Sequence, residues 1–176
     1  MALDHALLVA LCEQPASGLD LTKRFGRSIG FFWSATHQQI YRVLGRMEGE
    51  GWVEVTVVPQ SGRPDKKVYD VTPLGRAALA DWLATPTPPT PLRSDLAVKM
   101  RGAANGDRAA VLDSVRAHLV DHQARLDHYR QLAKRDYPDP SELNGTDLDQ
   151  YLVLRGGILL EESQVAWLTE YLEAHA

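Results

Sequence analysis

The chain has 176 residues, 44% hydrophobic and 24% charged, with a formal net charge of −4, a composition that fits an ordinary globular protein and excludes a disordered chain. No apolar run approaches the ~20 residues that span a bilayer, and the N-terminus carries Asp4 without a basic leader, so neither membrane insertion nor a signal peptide is expected and a cytoplasmic location follows. Cys12 is the single cysteine, which excludes intrachain disulfides and cysteine-based zinc sites.

Leu3, Ala6, Leu7, Ala10 and Leu11 recur at helical spacing, and Pro15 with Gly18 ends that first helix. A second helix is predicted from about Leu19 to Ile29, on Leu21, Phe25 and Ile29, with Gly30 as its stop. After Phe31-Phe32-Trp33, Ser34 or Thr36 can cap a third helix over His37 to Glu50, whose apolar face is Ile40, Val43, Leu44 and Met47. Gly51 ends it. Trp52 to Val58 and Lys66 to Val71 are rich in β-formers and flank the turn Ser61-Gly62-Arg63-Pro64-Asp65, which predicts a hairpin with a basic tip. Thr72-Pro73 opens a helix that runs to about Leu83.

Thr85-Pro86-Thr87-Pro88-Pro89-Thr90-Pro91 then forbids helix and central strand, because proline lacks the amide hydrogen and restricts its predecessor. Residues 1–84 are therefore read as one module, 85–92 as a stiff linker and 93–176 as a second module. The second module reads as all helical. A short helix covers Ser94 to Arg101, and a long one capped by Asp107 runs to about Arg135 with Leu112, Val115, Leu119, Leu126, Tyr129 and Ala133 in a near-heptad stripe. Another long helix, about Thr146 to Ala174, repeats at Tyr151, Leu154, Ile158, Val165, Leu168 and Leu172. His122 and Glu161 are the polar exceptions in these stripes. The two helices are expected to pair antiparallel, and their surplus apolar surface implies a homodimer through them, with packing onto the first module as the alternative.

Three helices followed by a hairpin is the order of a winged helix-turn-helix. The overall expectation is a mainly α fold with a small β-hairpin, an N-terminal winged helix-turn-helix and a C-terminal helical dimerisation domain. An α-helix fits the major groove of DNA, where base edges differ. The third helix would present Ser34, Thr36, His37, Gln38, Arg42 and Arg46. Gln and Arg suit adenine and guanine edges, while hydroxyls suit phosphates. The charge distribution permits this: residues 23–76 hold nine basic against five acidic residues, and residues 85–176 hold ten against fourteen.

The segment HQQIYRVLGRMEGEGWVEVTVV, followed by SGRPDKKVYDVTPLGRAAL, resembles the PadR family of transcriptional regulators. The shared features are Ile40-Tyr41, Leu44, Met47-Glu48, Gly51-Trp52-Val53, Arg63-Pro64, Lys66-Lys67, Tyr69, and Thr72 with Gly75-Arg76. Met47 and Trp52 depart from the family pattern, apolar for apolar. The resemblance implies a regulator of double-stranded operator DNA, by family tendency a repressor released by a small-molecule effector. It implies that Tyr41 touches the DNA backbone and that Arg63, Lys66 and Lys67 reach DNA from the wing. Lys23 and Arg24 are candidate phosphate anchors, with no functional role as the alternative, and Arg46 can instead pair with Glu50. The resemblance also implies a small aromatic effector, for which Trp82 and Trp167 are candidate pocket residues; packing is the alternative. The competing function is a protein-interaction module on the same scaffold.

No cofactor, metal site or catalytic set is expected. His118 and His122 stand at i, i+4 with Asp121 between them and Asp127 beyond, a spacing that can hold a metal, but a polar notch in the helix seam explains them more simply. Gly156-Gly157 inside a helix calls for a kink or the close approach of another helix.

Overall fold

A computed structural model describes residues 2–25, 35–62, 65–89 and 93–176, which fall into two compact units, residues 1–89 and 90–176. The first unit contains α1 (Ala2–Glu13), β1 (Ala16–Ser17), α2 (Gly18–Phe25), α3 (His37–Gly49), β2 (Val53–Val58), β3 (Lys66–Val71) and α4 (Pro73–Ala84). The hairpin predicted from the sequence is a three-stranded antiparallel sheet of order β1-β3-β2. Its extra strand is only two residues long, Ala16 opposite Tyr69 and Ser17 opposite Val68. Two residues carry no alternation to read, so only the pairing reveals them. The second helix is described to Phe25; Ile29, Gly30 and Phe31 to Trp33 lie outside the described residues.

The core of this unit joins Leu7, Leu8 and Leu11 of α1, Leu21 and Phe25 of α2, Ile40, Leu44 and Met47 of α3, and Val53, Tyr69 and Val71 of the sheet. Thr36 is the residue that caps α3: its hydroxyl accepts from Gln39 N at 3.3 Å while Gln39 Oε1 accepts from Thr36 N at 2.8 Å, a reciprocal capping box. Gly51, at φ 72°, then turns the chain into β2. Thr72 locks the next corner. Its hydroxyl donates to Gly51 O at 2.6 Å, its amide donates to Trp52 O at 3.0 Å, and its oxygen accepts from Gly75 N at 3.1 Å.

The second unit contains α5 (Asp95–Gly102), α6 (Arg108–Asp136) and α7 (Gly145–Glu173), with 3-10 turns at Ala103–Asn105 and Pro140–Glu142. Val115 packs with Leu168, His122 meets Glu161 and Tyr137 meets Gln150, so α6 and α7 run antiparallel. Of the predicted stripes, Val115, Leu126 and Tyr129 are buried on α6 and Leu154, Ile158 and Leu168 on α7, while Leu112, Leu119, Tyr151 and Val165 are half-buried. Met100 anchors α5 on this pair, and its carbonyl accepts from Tyr171 Oη at 3.0 Å. The two polar exceptions turn out to be partners: His122 Nδ1 lies 2.6 Å from Glu161 Oε2, and Arg125 Nε lies 3.6 Å from Glu161 Oε1. Burial first, and the Glu161 charge second, push the nearby Tyr129 phenol up from its ordinary value. α7 passes through Gly156 without a break. On its outer side Leu152, Val153, Leu159 and Leu160 are exposed within this chain. Among the described residues no helix is long and apolar enough to cross a membrane.

Candidate nucleic-acid interface

α3 carries two opposed faces. Ile40, Val43, Leu44 and Met47 are buried against α1, α2 and the sheet, whereas Thr36, His37, Gln38, Tyr41 and Arg42 are exposed. The burial of four apolar side chains, at roughly 1.5–3 kcal/mol each, fixes the rotation of the helix about its axis. The polar face is thereby held outward. Ser34 lies outside the described residues.

Tyr41 is half-exposed, and its ring sits directly over Gly18 at the start of α2, where an added Cβ would come within 2.5 Å of the ring. The His37 ring is 4.5 Å away from it, centroid to centroid. Tyr41 is thus seated on a glycine that sequence reasoning assigned only to helix termination. Gly18 is the first residue of α2, behind the cap Ser17, whose Oγ accepts from Asp20 N at 3.3 Å, so no local signal in the sequence marks it as a seat for a ring.

The wing is built by β2 and β3, with Val57 opposite Lys67 and Val58 opposite Lys66. Gly62, at φ 74°, forms part of the turn at its tip. Arg63 lies outside the described residues. Lys67 is exposed and joins no ion pair among the described residues. Lys66 is different: its Nζ lies 2.9 Å from Asp20 Oδ2, and Ser17 Oγ donates to the same carboxylate oxygen at 2.8 Å. The Lys66 hydrogen bond, followed by that from Ser17, holds the Asp20 carboxyl below its ordinary value of 3.8. This cluster ties the wing to the β1–α2 corner beside Tyr41. Asp20 was missed in the sequence because its partner is 46 positions away.

Two other cations are committed to the fold. Arg46 pairs with the buried Asp4 of α1 and, at 3.7 Å, with Glu50. Arg24 donates to Ala10 O at 3.2 Å and to Gln14 O and Oε1 at 3.0 Å each, which closes the α1–α2 turn. Lys23, one residue earlier, is exposed and joins no ion pair among the described residues. The exposed donors around α3 thus include Lys23, Thr36, His37, Gln38, Tyr41, Arg42 and Lys67, spread over α2, α3 and the wing.

Trp82 and Trp167 belong to different units and are 39% and 37% exposed, so neither is spent on a core. Trp82 stacks on the largely buried His5 ring at 4.5 Å and 8°. His118 and His122 are 6.5 Å apart by ring centroid, and among the described residues no group of three metal-ligating side chains converges.

Residues 7–81 match the model of the PadR-like family of transcriptional regulators, and residues 92–176 match the C-terminal domain model of virulence activator alpha. The chain is 54% identical to the probable transcriptional regulator Rv1176c of Mycobacterium tuberculosis over 99% of its own length and 97% of the relative's. It is 30% identical to the negative transcriptional regulator PadR of Bacillus subtilis over 97% and 95% of the two chains. Structures of that Bacillus protein resemble it closely: with operator DNA the TM-score is 0.84 at 28% identity, over 99% of both chains. With p-coumaric acid it is 0.78 at 28% identity, over 99% and 98%. The virulence activator AphA of Vibrio cholerae matches at TM-score 0.81 and 29% identity over 99% of both chains.

Proposed function

Since the chain belongs to the PadR-like family and is a DNA-binding transcriptional regulator, we propose that it is a cytoplasmic, non-enzymatic repressor that binds its operator as a homodimer. The observation that carries this reading is the outward polar face of α3 beside a wing that exposes Lys67. Gln38 and Arg42 read base edges in the major groove. Thr36, His37 and Tyr41 engage phosphates near the N-terminus of α3, where the helix dipole and unpaired amides favour an anion. Lys67 and Arg63 reach the backbone from the wing, and Lys23 adds a phosphate contact from α2. The second module carries the net negative charge, ten basic against fourteen acidic residues over 85–176, so the phosphate contacts are assigned to the first module.

Two copies joined through α6 and α7 present two winged units to a two-fold site, with half-sites about 34 Å or a multiple apart. Repression needs only occupancy of the promoter, and the Bacillus relative is a negative regulator. That relative's structure with p-coumaric acid supports a small aromatic effector for this chain as well. Trp82 of the first unit and Trp167 of the second, each half-exposed within its own unit, are separate candidate contacts for it. An effector that binds the DNA-incompetent spacing better shifts the population away from DNA.

The test is a mobility shift with DNA from the chain's own upstream region at stated salt. A specific shift is expected, and Tyr41→Ala with Lys67→Ala should weaken it by at least tenfold while the protein stays folded and dimeric. Binding to every sequence alike, or unchanged binding by the double variant, would refute the assigned surface. A scaffold that docks proteins instead would give no specific shift.

A further inference from the structure

The wing is supported unevenly along its length. β1 pairs with β3 only at Tyr69 and Val68. Past that point the chain of β1 turns into α2, and Lys67 and Lys66 of β3 keep β2 as their only strand neighbour. The residues opposite them, Val57 and Val58, are 52% and 41% exposed, so the core does not reach this outer half of the hairpin. A two-stranded hairpin is marginally stable by itself. Yet this half carries Lys67, the exposed wing cation that has to stand in register with Tyr41 and the polar face of α3.

Asp20 supplies the missing support. Its Oδ2 lies 2.9 Å from Lys66 Nζ. Among the described residues this is the only hydrogen bond or ion pair that joins the outer half of the wing to a helix. A surface ion pair ordinarily contributes little, because two long side chains must be immobilised to form it. Here the carboxylate is fixed in advance. The buried Ser17 donates its hydroxyl to Asp20 Oδ2 at 2.8 Å and accepts from Asp20 N at 3.3 Å, so only the Lys66 side chain remains to be ordered. The same short stretch seats the Tyr41 ring, on Gly18. One corner, residues 17–20, therefore holds a side chain of the exposed α3 face and the outer wing at once.

We propose that Asp20 is a positioning residue for operator recognition: through Lys66 it fixes the wing relative to α3, and so determines how well the operator is told from other DNA. Sequence is read only when base-reading side chains and phosphate contacts fit one register, whereas any duplex offers phosphates to a loose wing. Untying the wing therefore costs selectivity rather than affinity for DNA in general. This role presupposes the regulator reading.

Anisotropy titrations of the full-length protein at one salt concentration, with the operator fragment and with a scrambled duplex of the same length, test it. The ratio of the two affinities is the readout, because a cation freed by a substitution adds the same phosphate contact to both duplexes and cancels. Asp20→Asn, which keeps an oxygen for Ser17, should lower that ratio by at least about fivefold, the equivalent of one misplaced hydrogen bond. Lys66→Met should lower it equally, and the double variant should be no worse than either single one. Lys66→Arg, which preserves the pair, should keep the wild-type ratio. Urea unfolding of each variant at the titration temperature shows that folded protein is being compared. An unchanged ratio in Asp20→Asn, losses that add in the double variant, or a loss in Lys66→Arg as large as in Lys66→Met would each overturn the proposal. A wild-type protein that does not distinguish the two duplexes refutes the regulator reading itself; a selective wild type with equally selective variants refutes only the role of Asp20.

Discussion

Gly18→Ala separates the seat of Tyr41 from the stability of the fold. An alanine Cβ there would stand 2.5, 2.8 and 2.9 Å from three ring atoms of Tyr41. Carbon atoms in contact prefer about 3.5–4.0 Å, so the ring must retreat by roughly 1 Å. It can do so: Tyr41 is 40% exposed and sits at the end of a rotatable side chain. The folded state should therefore lose little. Replacing glycine in a helix also gives back up to about 1 kcal/mol of chain entropy, so the net change in stability should be within ~1 kcal/mol of zero. DNA binding should not be so tolerant. A hydroxyl displaced by ~1 Å no longer meets a phosphate oxygen, and such a hydrogen bond is worth about 1–1.5 kcal/mol, or close to tenfold in Kd. Fluorescence anisotropy with operator DNA at fixed salt, together with urea unfolding, measures both quantities. Tyr41→Phe is the comparator: it should weaken binding to a similar degree, and the double variant should be no worse than either single one, because both remove the same contact. Wild-type affinity in Gly18→Ala, or losses in the two variants that simply add, would refute the idea that Gly18 positions Tyr41 for DNA.

Gly75→Ala should behave in the opposite way: the added Cβ would collide with the backbone oxygen of Trp52, which cannot rotate aside. Overpacking and disturbance of the Thr72 cap together should cost about 2–4 kcal/mol, measured by urea unfolding; a loss below 0.5 kcal/mol would contradict the geometry. Asp20→Asn should free Lys66 for phosphate and steepen the dependence of log K on log salt by about 0.9, and an unchanged slope would show that Lys66 stays out of reach of DNA. The depressed Asp20 carboxyl also sets a pH window: the stability it shares with Lys66 is fully present above its ordinary value of 3.8 and disappears as pH falls through the lower folded-state value. Wild type and Asp20→Asn should accordingly differ in thermal unfolding at pH 5–7 and converge near pH 2; a constant difference would exclude this pair as the cause. Gly156→Ala adds a methyl group that meets nothing within 4 Å in this chain, beside the exposed Leu152, Val153, Leu159 and Leu160. Sedimentation should show a weakened homodimer, despite the ~1 kcal/mol gain in helix propensity; an equally tight dimer would move the interface elsewhere.

Helices were legible wherever their signals were local. Thr36, Thr72, Ser94 and Asp107 each cap within three residues, and Gly51 turns the chain out of α3 through its own backbone freedom. The outward face of α3 was legible for the same reason, since the burial of Ile40, Val43, Leu44 and Met47 leaves the other side nowhere else to point. The fate of individual cations was not. Lys66 and Lys67 are adjacent and chemically alike, yet one is held by Asp20 and the other is exposed. Strand alternation sends them to opposite faces, but only the β1–β3 pairing brings α2 to one of those faces.

Period, capping and proline restriction act over a few residues, and from them the sequence alone determined two α-rich modules, a recognition helix with a dry face and a wet face, and a wing after it. Tertiary structure decided which groups meet across long stretches of chain: Asp4 with Arg46, Gly18 beneath Tyr41, Asp20 with Lys66, and His122 with Glu161. Those pairings depend on how helices and strands stack, which no local propensity encodes, and an ion pair or a ring seated on a backbone exists only once that stacking has set distances to within an ångström or so.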